Sequence, residues 1–456
     1  MIDQPSLAAA LSRLSGRFAD ALLRAGDPPY DEVRRVHNGL IDRRPALIAR
    51  CRSTADVVEA ILLSREVGLE VAVRGGGHNP AGRATVEGGL MIDLSPMRGI
   101  HVDPRARTIR AQGGVTWAEF DRESQLHGLA TTGGTVSSTG IAGLTLGGGL
   151  GWLMGKYGLS SDNLLSAEVV TADGRVVTAS AQENPDLFWG IRGGGGNFGI
   201  ATWLEYRLHP VGPTVIAGPL MHPFERARDV LQFFREATSS IPEELGLMAG
   251  LLHGSDGSAL AAIVAVYGGS LADGEPATRG LKAFGSPVMD GIGPMPYSAA
   301  NTMFDAAFPR GAMSYWKSSF LEGLSDDAIE TLHACYARCP APMSMIVVER
   351  IHGAVTRVPV SETAFPHRRA GYNLLILGEW TDPADTDRGI RWGREAYSAM
   401  GPFMAAGRYV NYLDQDDGAD SVAAAYGPNY QRLRELKAKF DPDNWFHLNQ
   451  NIPPAR

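Results

Sequence analysis

Residues 74–78 read Arg-Gly-Gly-Gly-His and follow directly on the apolar run Leu69–Val73. Val71 and Val73 are β-branched and alternate, which predicts a buried strand. Gly75, Gly76 and Gly77 then bring bare backbone to the end of that strand. Glycine tolerates positive φ and lets a ligand approach the peptide closely. Successive N–H groups in such a turn form a nest for an anion. The next residue is an imidazole, His78. A nest followed by a nucleophilic ring predicts a pyrophosphate-bearing cofactor with a point of covalent attachment. A histidine that only hydrogen-bonds its own loop is the alternative.

Two further segments narrow the fold. Residues 133–151 run from Gly133 to Gly151 with almost no charge and little bulk. A packed core needs large side chains, so this stretch reads as backbone wrapped around something large and flat. Residues 192–199 read Arg-Gly-Gly-Gly-Gly-Asn-Phe-Gly. Flexible surface loops are the bland reading, but strand-like apolar runs, not Ser/Pro-rich linkers, flank the clusters. The third cluster also matches G-x-G-x-x-G. A dinucleotide-binding unit would follow it with a helix, whereas Ile200–Tyr206 alternates like a strand.

Composition limits the function classes. The net charge is −8 with no long basic run, which disfavours nucleic acid and anionic membranes as partners. No apolar run approaches the roughly 20 residues of a membrane span. The start of the chain lacks the basic, then apolar pattern of a secretory leader, so the expected location is cytoplasmic. Cys51, Cys335 and Cys339 cannot build a disulfide framework, and no companion pair makes them a metal site, so no metal is expected.

With 456 residues, the chain exceeds one core. Leu7, Leu11, Leu14, Phe18 and Leu22 recur at helical spacing, which predicts an amphipathic helix over 5–25. Val57, Ala60, Ile61 and Ser64 fit a helix between strands at 47–51 and 69–73. Ala172-Asp173-Gly174 reads as a hairpin turn. After Pro213 the wording changes. Strands are expected at 260–267, 344–348 and 372–377, and helices at 224–239 and 326–338, as a second unit with an antiparallel sheet. A last helix, 426–440, closes at Asp441-Pro442.

The glycine segments, together with Lys156-Tyr157-Gly158-Leu159, Asn184–Trp189, Tyr409-Val410-Asn411-Tyr412 and Asn449–Pro454, resemble the vanillyl-alcohol oxidase superfamily, and within it the berberine-bridge-enzyme-like group. The resemblance spans about Arg34 to Pro454. It implies an α+β fold: an FAD-binding domain of the PCMH type, made of two α+β subdomains, with an inserted antiparallel-sheet substrate domain covered by helices. The implied division is 1–30 as a helical extension, 31–213 as the FAD-binding domain, 214–405 as the substrate domain, and 406–456 as the C-terminal part of the FAD domain.

The resemblance also assigns roles. His78 corresponds to the imidazole that bonds the flavin 8α-methyl carbon. Val136 stands where doubly tethered members carry cysteine, so a single covalent link is expected. Gly75, Gly76, Gly77, Gly140 and Gly143 should serve the pyrophosphate and ribityl chain through backbone N–H groups. Asn79, Gly82 and Gly149 belong to the same cofactor set. Arg74 has two readings, cofactor contact or a pair with a carboxylate below the loop. Thr139 and Leu144 fall beside the flavin's reactive edge or simply pack the loop. Gly199 and Ile200 fall at the adenine end. Asn411, Asn449 and Asn451 are candidates for the flavin edge or for fixing the C-terminal loop. Tyr412 matches the family's active-site tyrosine. A normal phenol, with a pKa near 10, is a poor base unless a neighbour lowers it. If 409–412 is a strand, Tyr409 faces away from Tyr412. For Glu349, the favoured reading is an ion pair on the outer face of its sheet, and Trp380 reads as packing.

The implied activity is that of an oxidase with FAD held through one histidine. It would oxidise a small organic compound of the secondary-metabolite kind and pass the electrons to O₂. Oxygen insertion into a polyketide-like substrate, a dehydrogenase with another electron acceptor, and a flavin carrier without catalysis are the rivals. The substrate, a second active-site base and the oligomeric state, a homodimer included, stay open.

Overall fold

The computed structural model describes residues 21–456. Leu7, Leu11, Leu14 and Phe18 lie outside them. Within them the predicted N-terminal helix does not continue: Leu22–Leu23 is a short strand with Leu22 opposite Ala49. Leucine pairs are ambiguous between the two periods, and the open edge of the first sheet decides here.

That sheet is small and mostly parallel, in the order Leu22–Leu23, Leu47–Arg50, Leu90–Asp93, Val71–Arg74. The helix Thr54–Val67 makes the crossover. Ser53 and Asp56 close a reciprocal capping box at its start, and Gly68, at φ 66°, stops it in the left-handed region. The crossover delivers Val71–Arg74 so that Gly75–Gly77 leave the strand's C-terminal end.

The second sheet is antiparallel, in the order Ile100–Asp103, Thr108–Gln112, Ile200–Arg207, Leu164–Val170, Val176–Ser180. Its last two strands are the predicted hairpin. Ile200–Arg207 is a strand, so the third glycine cluster opens no helix of a dinucleotide-binding unit.

The third sheet has eight antiparallel strands and lies within residues 214–380. Residues 214–223, 259–267, 245–253, 345–351, 371–380 and 313–321 follow one another across it. The helices Ala227–Ala237, Asp326–Tyr336 and Thr386–Met400 cover one face, where Ile346, Val348, Leu374 and Ile376 are buried. The period of two sends Met345, Val347, Glu349, Asn373, Leu375 and Leu377 to the other face. The helices Ala419–Tyr426 and Tyr430–Phe440 return to the second sheet, and Tyr426, Leu433 and Phe440 join its core. No helix of the described residues is long and apolar enough to cross a membrane.

Candidate active site

One cavity lies where the first sheet, the second sheet and the bare face of the third meet. Gly75, Gly76, Gly77, His78 and Asn79 line it from the first sheet. Val136, Thr139, Gly140, Gly143 and Leu144 line it from the second glycine segment, and Gly199 and Ile200 from the third. The C-terminal segment contributes Asn411, Tyr412 and Asn449. Four segments far apart in sequence thus converge on one space.

Glycine is required where two of them meet. A methyl group on Gly76 would collide with the backbone nitrogen of Gly140, and one on Gly140 with that of Gly76. The loops therefore pack backbone to backbone, with peptide groups at the cavity wall.

Four residues of the expected cofactor set do not line the cavity. Arg74 ends a strand whose Val71 and Val73 face the cavity, so it points the other way. Its Nε donates to Asp93 Oδ1 at 3.0 Å, its Nη2 pairs with Asp93 Oδ2 at 2.9 Å, and its Nη1 donates to the Val33 carbonyl. The carboxylate reading is the one the structure supports. Gly82 has φ 66°, its side-chain space is filled by Ile41, and its carbonyl accepts from Arg43. Gly149 donates its N–H to the Tyr409 hydroxyl at 3.1 Å. Asn451 lies past the lining residues 448–450.

His78 is partly buried, its ring centroid 3.9 Å from that of His37. Its Nε2 lies 2.8 Å from the Ser138 hydroxyl and its Nδ1 3.5 Å from that of Thr139. Burial, with His37 and the Arg310 charge adding, pushes the imidazole down to about 3. The ring is therefore neutral at ordinary pH, the form in which a ring nitrogen is nucleophilic.

Residues Val410–Tyr412 form a single 3₁₀ turn instead of a strand. Three residues per turn bring positions 409 and 412 to the same side. Their rings meet edge to face, 4.7 Å between centroids. Tyr409 is fully buried, and its hydroxyl accepts from Gly149, Leu150 and the Asn411 amide. Tyr412 faces the cavity, and its hydroxyl donates to Glu349 Oε1 at 3.4 Å.

Glu349 is not on the outer face. It is 4% exposed, accepts from the Asn373 amide through its other oxygen, and makes no ion pair with Arg350. Arg350 instead lies over the Tyr372 ring. Burial pushes the Glu349 carboxyl up to about 7, against the hydrogen bonds from Asn373 and Tyr412. Burial, then Glu349 and Tyr409, push the Tyr412 phenol well above its usual range. No cation lowers it, so Tyr412 is a donor and Glu349 is the group poised to take a proton near neutrality.

Sequence reasoning missed His37, Ser138 and Asn373, and placed Glu349 on the wrong face. A signal for Glu349 existed. With Ile346 and Val348 on the helix-covered face, the period of two puts 349 opposite. The sequence does not say what covers that side. Trp380 is packing, as expected: it is 2% exposed and donates to Thr386.

The cavity suits a large heterocyclic cofactor. Its glycine walls offer backbone N–H groups for phosphate oxygens. Two buried acceptors in its lining, Asn449 Oδ1 and Gln450 Oε1, have no protein donor and suit the N–H edges of such a ligand.

Comparison with known proteins agrees with this reading. A family model described as an FAD binding domain matches residues 45–180, and one described as berberine and berberine-like matches residues 408–453. An FAD-linked oxidoreductase of Dictyostelium discoideum is 32% identical, over 95% of each chain. The (R)-6-hydroxynicotine oxidase of Paenarthrobacter nicotinovorans is 31% identical, over 94% of this chain and 95% of its own. The solved 6-hydroxy-D-nicotine oxidase of Arthrobacter nicotinovorans superposes with a TM-score of 0.86 at 29% identity, covering 95% of this chain and 98% of that one. The PCMH-type α+β architecture and FAD as cofactor follow, and the chain belongs to the berberine-bridge-enzyme-like family of FAD-linked oxidoreductases.

Proposed function

We propose that the protein is an oxidase of a small organic compound, with FAD attached through His78 alone, and with Glu349 and Tyr412 handling the substrate proton. The single observation that carries this reading is the Tyr412–Glu349–Asn373 chain, whose Tyr412 lines the cavity that also holds the His78 imidazole. When bound, the flavin supplies the two-electron acceptor and relay to oxygen, so that R₂CH–XH and O₂ become R₂C=X and H₂O₂. Glu349, in its ionised form, takes the proton from X–H at Oε1. Asn373 holds the other carboxylate oxygen, and the protonated Tyr412 orients the reacting group by donating to it or to Glu349. Ser138 holds His78 Nε2, which leaves Nδ1 for attachment. Val136 offers no second nucleophile. We read residues 31–213 with 406–456 as the cofactor domain and 214–405 as the substrate domain.

Oxygen consumption and peroxide formation, measured with a panel of alcohols, amines and secondary-metabolite phenols, test the activity. One mole of peroxide per mole of product supports it. Substrate-dependent flavin bleaching that recovers only with an artificial dye acceptor would refute it. Peptide mass mapping should place a flavin adduct on the peptide containing His78.

A further inference from the structure

Two donors in the cavity wall are not used by this mechanism. Trp316 lines the cavity from the third sheet, and its buried Nε1–H has no protein acceptor. Arg83 lines the cavity from the loop after His78. Its buried Nε has no protein acceptor, and no carboxylate lies within ion-pair distance of it among the described residues. Buried donors in native proteins are seldom left without a partner. A half-buried guanidinium stays charged and suits a planar oxyanion.

The two donors share a neighbour. Asp414 Oδ2 accepts the backbone N–H of Trp316 at 2.6 Å, and the Asp414 charge acts on Arg83. The Arg43 charge also acts on Arg83, but its own Nη1 is held by the carbonyls of Gly82 and Thr85. The wall between is aromatic and apolar. Trp316 lies 6.0 Å from Phe308 and 5.6 Å, edge to face, from Tyr412, and packs beside Met345, Leu375 and Leu377. Glu349 is next to this wall through Tyr412.

We propose that the substrate is a flat aryl compound carrying an anionic oxygen group, a carboxylate or a phenolate, whose ring lies against Trp316 and Phe308 and whose oxygen acceptors meet Arg83 and Trp316 Nε1–H. This rests on the reading of the cavity as the oxidation site. It assigns Arg83 and Trp316 as specificity-determining residues.

The test is a binding measurement on the flavin-loaded protein, read as perturbation of the visible flavin spectrum, with benzoate, benzamide and benzylammonium as probes. Benzoate should bind about tenfold or more tightly than benzamide, the expected size for one charge-assisted contact. Benzylammonium should bind most weakly. Arg83→Gln should abolish the preference for benzoate, while Arg83→Lys keeps most of it. Trp316→Phe, which keeps a ring without the donor, should weaken benzoate about threefold to tenfold. Equal binding of benzoate and benzamide, an unaltered preference in Arg83→Gln, or no perturbation by any probe would overturn the proposal. Loss of flavin from Arg83→Gln would overturn it too, since Arg83 would then serve the cofactor. Binding is read without turnover. A protein that shows the Arg83-dependent preference but makes no peroxide therefore sinks the oxidase reading and keeps this one, and the converse result does the reverse.

Discussion

Tyr412 and Glu349 meet across the seam between the C-terminal segment and the third sheet, with the phenol donating to the carboxyl at 3.4 Å. Neither partner belongs to the same part of the chain, and neither has a cation to neutralise it. The pair exists because a 3₁₀ turn and a strand's second face were brought together.

Glu349→Gln keeps the shape and removes the proton acceptor. Stopped-flow flavin reduction should slow by about 10²–10⁴-fold, the usual contribution of a positioned base. In the wild type that rate should rise with pH through about 7, because the ionised form is the active one. The variant should lose this limb. Stability moves the opposite way. The folded carboxyl titrates above its unfolded value of 4.5, so it has no effect on stability below that value and a growing cost up to about 7. Glu349→Gln should therefore raise the thermal midpoint at pH 8, with a stability gain of about 3 kcal/mol, and change it little at pH 4.

The two tyrosines separate chemistry from structure. Tyr412→Phe should slow flavin reduction by about 10²-fold and leave stability almost unchanged, since its hydroxyl makes one long hydrogen bond. Tyr409→Phe should cost about 1–3 kcal/mol in chemical denaturation, because the amides of Gly149 and Leu150 lose a buried acceptor.

Attachment of the flavin should be insensitive to mild acid. With the His78 imidazole pushed down to about 3, its neutral form dominates throughout pH 5–8. The rate of covalent incorporation into apoprotein, followed as acid-precipitable colour, should show no protonation limb in that range. His78→Ala pellets should be colourless, and Ser138→Ala should slow incorporation by freeing Nε2.

The C-terminal segment hangs on one buried ion pair. Lys437 and Asp441 are both fully buried and lie 2.6 Å apart. The Lys437 ammonium also donates to the carbonyls of Asn197 and Phe446. Lys437→Met leaves Asp441 buried without its counter-charge and should cost about 3–5 kcal/mol. Covalent flavin incorporation should fall in parallel, since Phe446 lines the cavity. Equilibrium unfolding with a flavin-to-protein ratio checks both.

Much of the cofactor site was legible because its signals are local. A strand followed by glycines, then an imidazole, states its geometry within ten residues. Gly76 and Gly140 could be singled out before their backbones were known to touch. The substrate side was not legible in the same way. Arg74 adjoins the glycines, which left cofactor contact and a carboxylate pair both open, and strand alternation turns it to Asp93. Gly82 and Gly149 serve turns and a tyrosine hydroxyl.

The order of the glycine segments along the chain determined the family and the cofactor and set one imidazole beside them, because backbone conformation and side-chain chemistry are properties of short stretches. Only the tertiary structure decided that Glu349 is buried beside Tyr412, how Tyr409 and Tyr412 divide their hydrogen-bond partners, and which side chains line the cavity. Those depend on what covers the far side of a sheet, and burial, which sets the proton affinity of Glu349 and His78, is a property of the whole packed chain.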